Sequence, residues 1–332
     1  MGEVFAGRYE LLEPIGRGGM GTVWLVWDRR DEVHRAAKVL RQVDAESLIR
    51  FVREQTMRVE HPHCVTPRGW AGEDDRVLFT MDLVRGGSLA TLIGDFGRLP
   101  PEWAAVLLDQ LLVALGEVHD AGLVHRDVKP ANILLEPTGR GRPHLRLGDF
   151  GVAVPLDEPR MTRAHTVLGT SGYQAPEQAE GADPDPRQDV WAAGVVMIEM
   201  LTGEEPPSGG PVVDAAGPPD DVDPVLWALA VRLSAADPDQ RPLSAAEARD
   251  WLRDTGRLPG PDAVPDDDGL DIEVLEHLPA PGWDGAEPHP GAAASSPDRK
   301  PARWWRTRAA ALGLTSVVVG LGLLIGAVVL WD

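Results

Sequence analysis

Three short stretches of this 332-residue chain carry polar side chains at spacings suited to phosphate chemistry. The first, "PIGRGGMGTVWLVWD" at 14–28, sets Gly16, Gly18 and Gly21 in a G-x-G-x-x-G spacing, which many phosphate-binding loops share. The second, "LVHRDVKPANILL" at 123–135, places Asp127 and Asn132 five apart in a polar string between two apolar runs. The third, "LRLGDFGVA" at 145–153, reads as a strand running into a turn, with Asp149 positioned to coordinate a metal.

The residues after the glycines narrow the kind of loop. In a dinucleotide-binding fold the third glycine opens a helix that holds the pyrophosphate. Here Thr22, Val23, Trp24, Leu25, Val26 and Trp27 come next, a β-branched and aromatic run that reads as a strand. The loop is therefore a hairpin with glycines at its tip. It also lacks the Gly-Lys-Ser/Thr ending of a P-loop. A phosphate-binding lysine must come from elsewhere, and the next strand-like run, "RAAKVL", offers Lys38.

Composition excludes some functions. A formal net charge of -20 and a pI near 4.8 leave no electrostatic footprint for nucleic acid. The single cysteine, Cys64, rules out an intramolecular disulfide and reads as a small buried hydrophobe in a reducing compartment.

The elements that must position these residues fall into two kinds. The first eighty residues read mainly as strands with one helical stretch, "AESLIRFVREQTMRVE". From "PPEWAAVLLDQLLVALGEVHDAG" onward the chain is mostly helical, and Trp103, Val106, Leu107, Gln110, Leu111, Ala114 and Leu115 recur at the spacing of a core face. This predicts an α+β chain with a small β-rich lobe before a larger α-rich one. Residues 254–298 hold eight prolines and eleven acidic residues against Arg257 as the only basic one, and read as a disordered acidic linker. Within it "LDIEVLEHL", 270–278, reads as solvated linker, with a transient helix or a docking element as the sharper alternative.

A basic segment, 299–308, precedes an uncharged run at 309–331 whose 23 residues would span about 34 Å as a helix, enough for a bilayer core. The run reads as a transmembrane helix that contacts membrane lipid. Arg299, Lys300, Arg303, Arg306 and Arg308 on its N-terminal flank place the preceding chain in the cytoplasm, leaving essentially no extracellular domain. Gly322 and Gly326 form a G-x-x-x-G that would permit a homodimer in the membrane.

With "GTSGYQAPEQ" at 169–178, "DVWAAGVVMIEMLTG" from Asp189 and "DPDQRP" containing Arg241, residues 8–253 closely resemble the protein kinases, and in particular the bacterial Ser/Thr kinases of the eukaryotic-like (Hanks) type. The resemblance implies a two-lobed kinase fold and transfer of the ATP γ-phosphate to Ser/Thr hydroxyls of protein substrates, with magnesium, or manganese in its place. It assigns Gly16, Gly18 and Gly21 to the lid over the phosphates, where a Cβ would obstruct. Val23 would pack on adenine, and Ala36 in preference to Ala37 would add a small apolar wall. Lys38 would hold the α- and β-phosphates, itself held by a glutamate, Glu54 in preference to Glu46 or Glu60. Met81 resembles the gatekeeper, and the backbone from Asp82 to Val84 would bond adenine.

The same resemblance makes Asp127 the acceptor of the hydroxyl proton, and makes Asn132 and Asp149 the metal ligands. Lys129 would contact the γ-phosphate and Thr170 would brace Asp127, both pointing to Ser/Thr substrates. Glu177 and Arg241 resemble a buried structural ion pair. Arg126, beside Asp127, implies activation by phosphate on the loop, with Thr162 and Thr166 as autophosphorylation sites. The alternative is a membrane scaffold of kinase shape with little catalysis, which degenerate Lys, Asp or Asp-Phe-Gly positions would favour.

Overall fold

The first eighty residues are rich in β-branched and aromatic runs such as those at 23–27 and 77–79, and the backbone there pairs into strands. The computed structural model describes residues 3–18, 21–41, 59–73, 76–150, 154–155, 172–208 and 217–278. Strands β1 (Val4–Phe5), β2 (Tyr9–Gly18), β3 (Gly21–Asp28), β4 (Val33–Arg41), β5 (Pro67–Glu73) and β6 (Arg76–Met81) form an antiparallel sheet in the order β1-β2-β3-β4-β6-β5. The glycine motif lies at the β2–β3 turn, where Gly18 pairs with Gly21. A Cβ on Gly21, whose φ is +155°, would lie 2.4 Å from the Val39 carbonyl oxygen, so only glycine fits there. The helical stretch expected at 45–60 lies, up to residue 58, outside the described residues.

Strand register sorts the two faces of the sheet. Phe5, Tyr9, Leu11, Val26, Ala37, Val39 and Leu78 pack as a core on one face. Val23 pairs with Lys38, and Ala36 pairs with both Leu25 and Met81. Paired residues, and those two apart along a strand, share a face. Val23, Ala36, Lys38 and Met81 therefore line the face opposite the Ala37 core.

The second lobe packs around two helices. After α1 (Leu89–Phe96), α2 (Pro101–Asp120) begins with proline at its first turn, where the missing N–H costs nothing. Every position expected in its core face is buried, but so are Ala104, Ala105, Leu108, Leu112 and Val118. The helix is thus wrapped on more than one side. The short strands β7 (Leu123–Val124), β8 (Ile133–Leu135), β9 (Leu145–Leu147) and β10 (Val154–Pro155) come after it; β8 pairs with β9 and β10 with β7. Gln110 of α2 fixes the β8–β9 hairpin, donating to the Pro143 carbonyl and accepting from the Leu145 amide, each at 2.7 Å.

Helices α3 (Pro176–Glu180), α4 (Pro186–Thr202), α5 (Pro224–Leu233) and α6 (Ala245–Asp254) complete the lobe. From Gln188 to Leu201 every residue of α4 is buried, as a largely apolar helix at the centre of a lobe should be. Arg249 on α6 clamps Asp109 on α2 through two bonds of 2.5 and 3.1 Å. Cys64 is fully buried, and that burial pushes its thiol up to about 12, leaving it an inert hydrophobe at neutral pH.

Residues 254–278 differ from the linker expected there. After α6 the chain runs back over the helical lobe in irregular form, with turns closed by the Ala263 and Leu270 amides. Ile272 and Val274 are 1 % and 2 % exposed, and Val274 pairs with Gly139. Composition misses this because two aliphatics at alternating positions suffice once glycine loops accept them; a helix would have put their side chains on different faces. Residues 279–332, including the basic segment and the uncharged run, lie outside the described residues. Among the described residues no helix is long and apolar enough to cross a membrane.

Arg241 fastens α3 to the base of the lobe. Its guanidinium donates to both Glu177 oxygens, at 2.7 and 2.9 Å, and to the carbonyls of Ala235, Arg187 and Ala236. The Arg241 side chain is fully buried and that of Glu177 is 20 % exposed. Glu177→Ala would leave a buried cation without its counter-ion, and should cost about 3–5 kcal/mol in urea unfolding, while Glu180→Ala on the exposed side of the same helix should cost under about 0.5 kcal/mol.

Candidate active site

The loop between β7 and β8, which carries Asp127, Lys129 and Asn132, owes its shape to one buried carboxylate. Asp189 lies in the first turn of α4, where the helix dipole favours a negative charge. Its oxygens accept the backbone N–H groups of His125 and Arg126, each at 2.8 Å, and meet His119 Nε2 at 2.9 Å. Burial pushes this carboxyl up, but the bonds from His119 and the Arg126 amide outweigh it and hold the group below the usual range.

Those bonds hold Arg126 at φ +65°, a left-handed conformation that costs a non-glycine residue about 1–3 kcal/mol. Gln178 Nε2 donates to the Arg126 carbonyl at 3.1 Å, so the strained peptide is gripped on both sides. Asp149 is held at φ +59°. In the fully buried His125, Nδ1 accepts the Asp127 amide at 3.3 Å and Nε2 donates to the Gly148 carbonyl at 3.0 Å, linking the two strained turns.

The polar side chains converge where these turns meet. Lys129 Nζ lies 3.1 and 2.9 Å from the two Asp127 oxygens, and Asn132 Nδ2 donates to the Asp127 carbonyl and carboxylate at 2.8 and 2.9 Å. From the other lobe, Lys38 Nζ reaches Asp149 Oδ1 at 2.5 Å. Burial raises the Asp149 carboxyl, yet the charge and hydrogen bond of Lys38 exceed that effect and keep it below the ordinary carboxylate value. One ion pair therefore spans the cleft.

Of the other expected residues, Val23, Ala36 and Met81 share the sheet face of Lys38, and register places Ala37 in the opposite core. Gly16 faces Val23, with its Cβ position 3.6 Å from the valine Cβ. Val84 is buried. Asp82, read for its backbone, also uses its side chain: Arg68 of β5 grips it at 2.7 and 2.8 Å, and Arg146 of β9 at 2.9 Å. Burial and the two arginines oppose each other there, and the carboxyl is held low. Glu60 is exposed in the loop before Pro62 and is not beside Lys38. Glu46, Glu54, Thr162, Thr166 and Thr170 lie outside the described residues.

A protein kinase domain model matches residues 9–215 of this sequence. The chain belongs to the protein kinase family. The kinase lobes are those described: a β-rich lobe carrying Lys38 and a helical lobe carrying the β7–β8 loop. PkaA, a serine/threonine-protein kinase of Streptomyces coelicolor, is 38 % identical over 266 residues, 73 % of this chain and 49 % of its own. The serine/threonine-protein kinase PknA of Mycobacterium tuberculosis is 39 % identical over 219 residues, 63 % of this chain and 50 % of its own, and PrkC of Bacillus subtilis is 35 % identical over 221 residues, 65 % and 34 %. This chain thus spans about half the length, or less, of these relatives.

Sequence reasoning assigns no role to Asp189, Gln178, His119, Arg68, Arg146 or Glu199. Glu199 carries a signal, an acid inside the apolar run "VVMIEMLTG" of α4. It is buried and accepts the Tyr173 hydroxyl at 2.5 Å. Burial first, and the neighbouring Glu205 charge next, raise it from 4.5 to about 7 against the pull of the Tyr173 bond. Below pH 4.5 folded and unfolded chains both hold this proton. Between 4.5 and about 7 only the folded chain does, so raising the pH draws the equilibrium toward the unfolded chain. Relative to Glu199→Gln, the wild type should lose roughly 2 kcal/mol between pH 5 and pH 7, read from urea midpoints of both proteins at each pH; a constant difference would contradict the raised value.

Proposed function

We propose that this kinase domain is an active Ser/Thr protein kinase that transfers the γ-phosphate of ATP to protein hydroxyls. The observation carrying this reading is the convergence of Lys38 and Asp149 across the cleft with Asp127, Lys129 and Asn132 on the β7–β8 loop. None of the family's reactive positions is degenerate.

In this reading the Asp127 carboxylate accepts the proton of a Ser or Thr hydroxyl and orients its oxygen for in-line attack on the γ-phosphorus. The new P–O bond forms as the bond to the β-phosphate oxygen breaks, and ADP leaves. Lys129, resting on Asp127, turns its ammonium to the γ-phosphate, and Lys38 exchanges Asp149 for the α- and β-phosphates. Magnesium, or manganese, would be held by Asn132 and Asp149 and would offset charge on the transferred group; an amide and a carboxylate oxygen suit a hard cation whose shell phosphates complete. Adenine would lie against Val23, Ala36 and Met81 and bond the backbone of 82–84, under the glycine lid.

The reading extends to regulation and place. Thr162 and Thr166 are the proposed autophosphorylation sites, answering to Arg126, and Thr170 the brace on Asp127. Residues 309–331 are proposed to cross the cell membrane with the kinase domain cytoplasmic, and Gly322 and Gly326 to let two such helices pack.

Full-length protein incubated with Mg-ATP should acquire phosphothreonine at 162 or 166 and phosphorylate a generic Ser/Thr substrate. Lys38→Met should reduce both at least about a hundredfold while leaving the thermal midpoint nearly unchanged. Equal labelling of wild type and variant would refute the proposal.

A further inference from the structure

Beyond α6 the chain climbs from the base of the helical lobe to the hinge, through a succession of specific bonds. Arg142 donates to the carbonyls of Gly260 and Ala263, at 3.0 and 2.9 Å. The Asp266 amide donates to Glu102 at 2.8 Å, and Arg140 pairs with Asp271 at 2.7 Å. Gly139 and Val274 then exchange two backbone bonds, of 3.0 and 2.9 Å. Finally the His277 amide donates to the Arg85 carbonyl at 2.7 Å, and the Arg85 guanidinium pairs with Glu276.

The contacts of this strap concentrate on the three residues just past the hinge. A Cβ on Gly86 would lie 2.9 Å from Val274 Cγ1 and 2.5 Å from the Leu135 carbonyl oxygen, and one on Gly87 would lie 3.1 Å from the His277 ring. Gly86 is a glycine because the strap and the end of β8 press on it together, and Gly87 because its φ of +79° and the His277 ring both disfavour a side chain. Both glycines are also paired to β8: the Gly86 amide donates to Leu135 at 2.8 Å, and the Leu135 amide to Gly87 at 3.0 Å. Leu135 ends the strand that begins immediately after Asn132. The strap therefore holds the loop that leads from the hinge, residues 82–84, to α1 and that pairs with the strand following Asn132, a proposed metal ligand.

Its hold is modest. Only Ile272 and Val274 are buried among 271–277, and Leu275 is 55 % exposed.

We propose that residues 271–277 are a positioning clamp that seats Arg85–Gly87 and so sets the affinity of the cleft for nucleotide. The clamp rests on the kinase reading for its ligand.

The test uses full-length protein and three variants: Ile272→Asp with Val274→Asp to expel the strap, Glu276→Arg to weaken it at the exposed Arg85 pair, and Ile272→Val as the conservative control. Hydrogen exchange at 271–277 reports release, and a fluorescent ADP analogue with magnesium reports affinity without catalysis. The double variant should exchange fast, bind the analogue about threefold or more weakly, and raise KM for ATP by the same factor, with kcat within about twofold of wild type. Glu276→Arg should shift affinity in the same direction, by about twofold, and decides the matter if the double variant does not fold. Ile272→Val should match wild type. Fast exchange with unchanged nucleotide affinity would overturn the clamp and leave the strap as packing alone. Affinity that tracks the strap in a protein that transfers no phosphate would support the clamp and refute the catalytic reading.

Discussion

A single carboxylate buried in the centre of the helical lobe governs the geometry of everything reactive above it. Asp189 is tolerated there because helix α4 delivers it at its positive end and because three hydrogen-bonding groups meet it. Its bonds in turn sustain local strain, holding the Arg126 peptide in a left-handed turn just before Asp127. Lys129 and Asn132 close on Asp127 from either side, so its carboxylate has little freedom left to lose when a hydroxyl arrives. Without the grip of Asp189 the strain would relax, and the charged side chains would no longer converge.

The two lobes are joined in front by chemistry and behind by charge. In front, Lys38 and Asp149 form an ion pair that a nucleotide and its cation would replace. Behind, Asp82 on the hinge is shared by Arg68 from the sheet and Arg146 from the helical lobe, so a change in lobe angle must alter one of those bonds. Bidentate geometry makes the Arg68 contact directional as well as attractive. The strap meets the next few residues along the same connection, so the hinge is held from three directions.

Much of this is legible in the sequence, for identifiable reasons. The glycine hairpin, Lys38 and the Asp127–Asn132 string stand out because phosphate chemistry restricts residue types at fixed spacing. Register then chooses Ala36 over Ala37, a distinction that period-two alternation contains but that spacing alone does not decide. Asp189, Gln178 and Arg146 act through contacts between residues tens of positions apart, and nothing local marks such a partner. The strap escapes a compositional reading for a related reason: acidic, proline-rich composition averages over Ile272 and Val274, and the partners of Val274, Gly86 and Gly139, lie more than a hundred residues earlier. Even so, "RGGSL" carries half of the information, since paired glycines after a strand are where another backbone comes close.

In the proposed reaction, labour at the site is divided between Asp127, which would handle the proton, and Asp149, which would handle the cation. The most direct test is the affinity of ATP at rising magnesium for Asp127→Asn and Asp149→Asn, measured calorimetrically and paired with phosphate transfer under the same conditions. Asp127→Asn should bind ATP with the magnesium dependence of wild type and transfer at least about a hundredfold more slowly, whereas Asp149→Asn should lose the magnesium dependence itself. Magnesium dependence retained in Asp149→Asn, or transfer retained in Asp127→Asn, would contradict this assignment of the site.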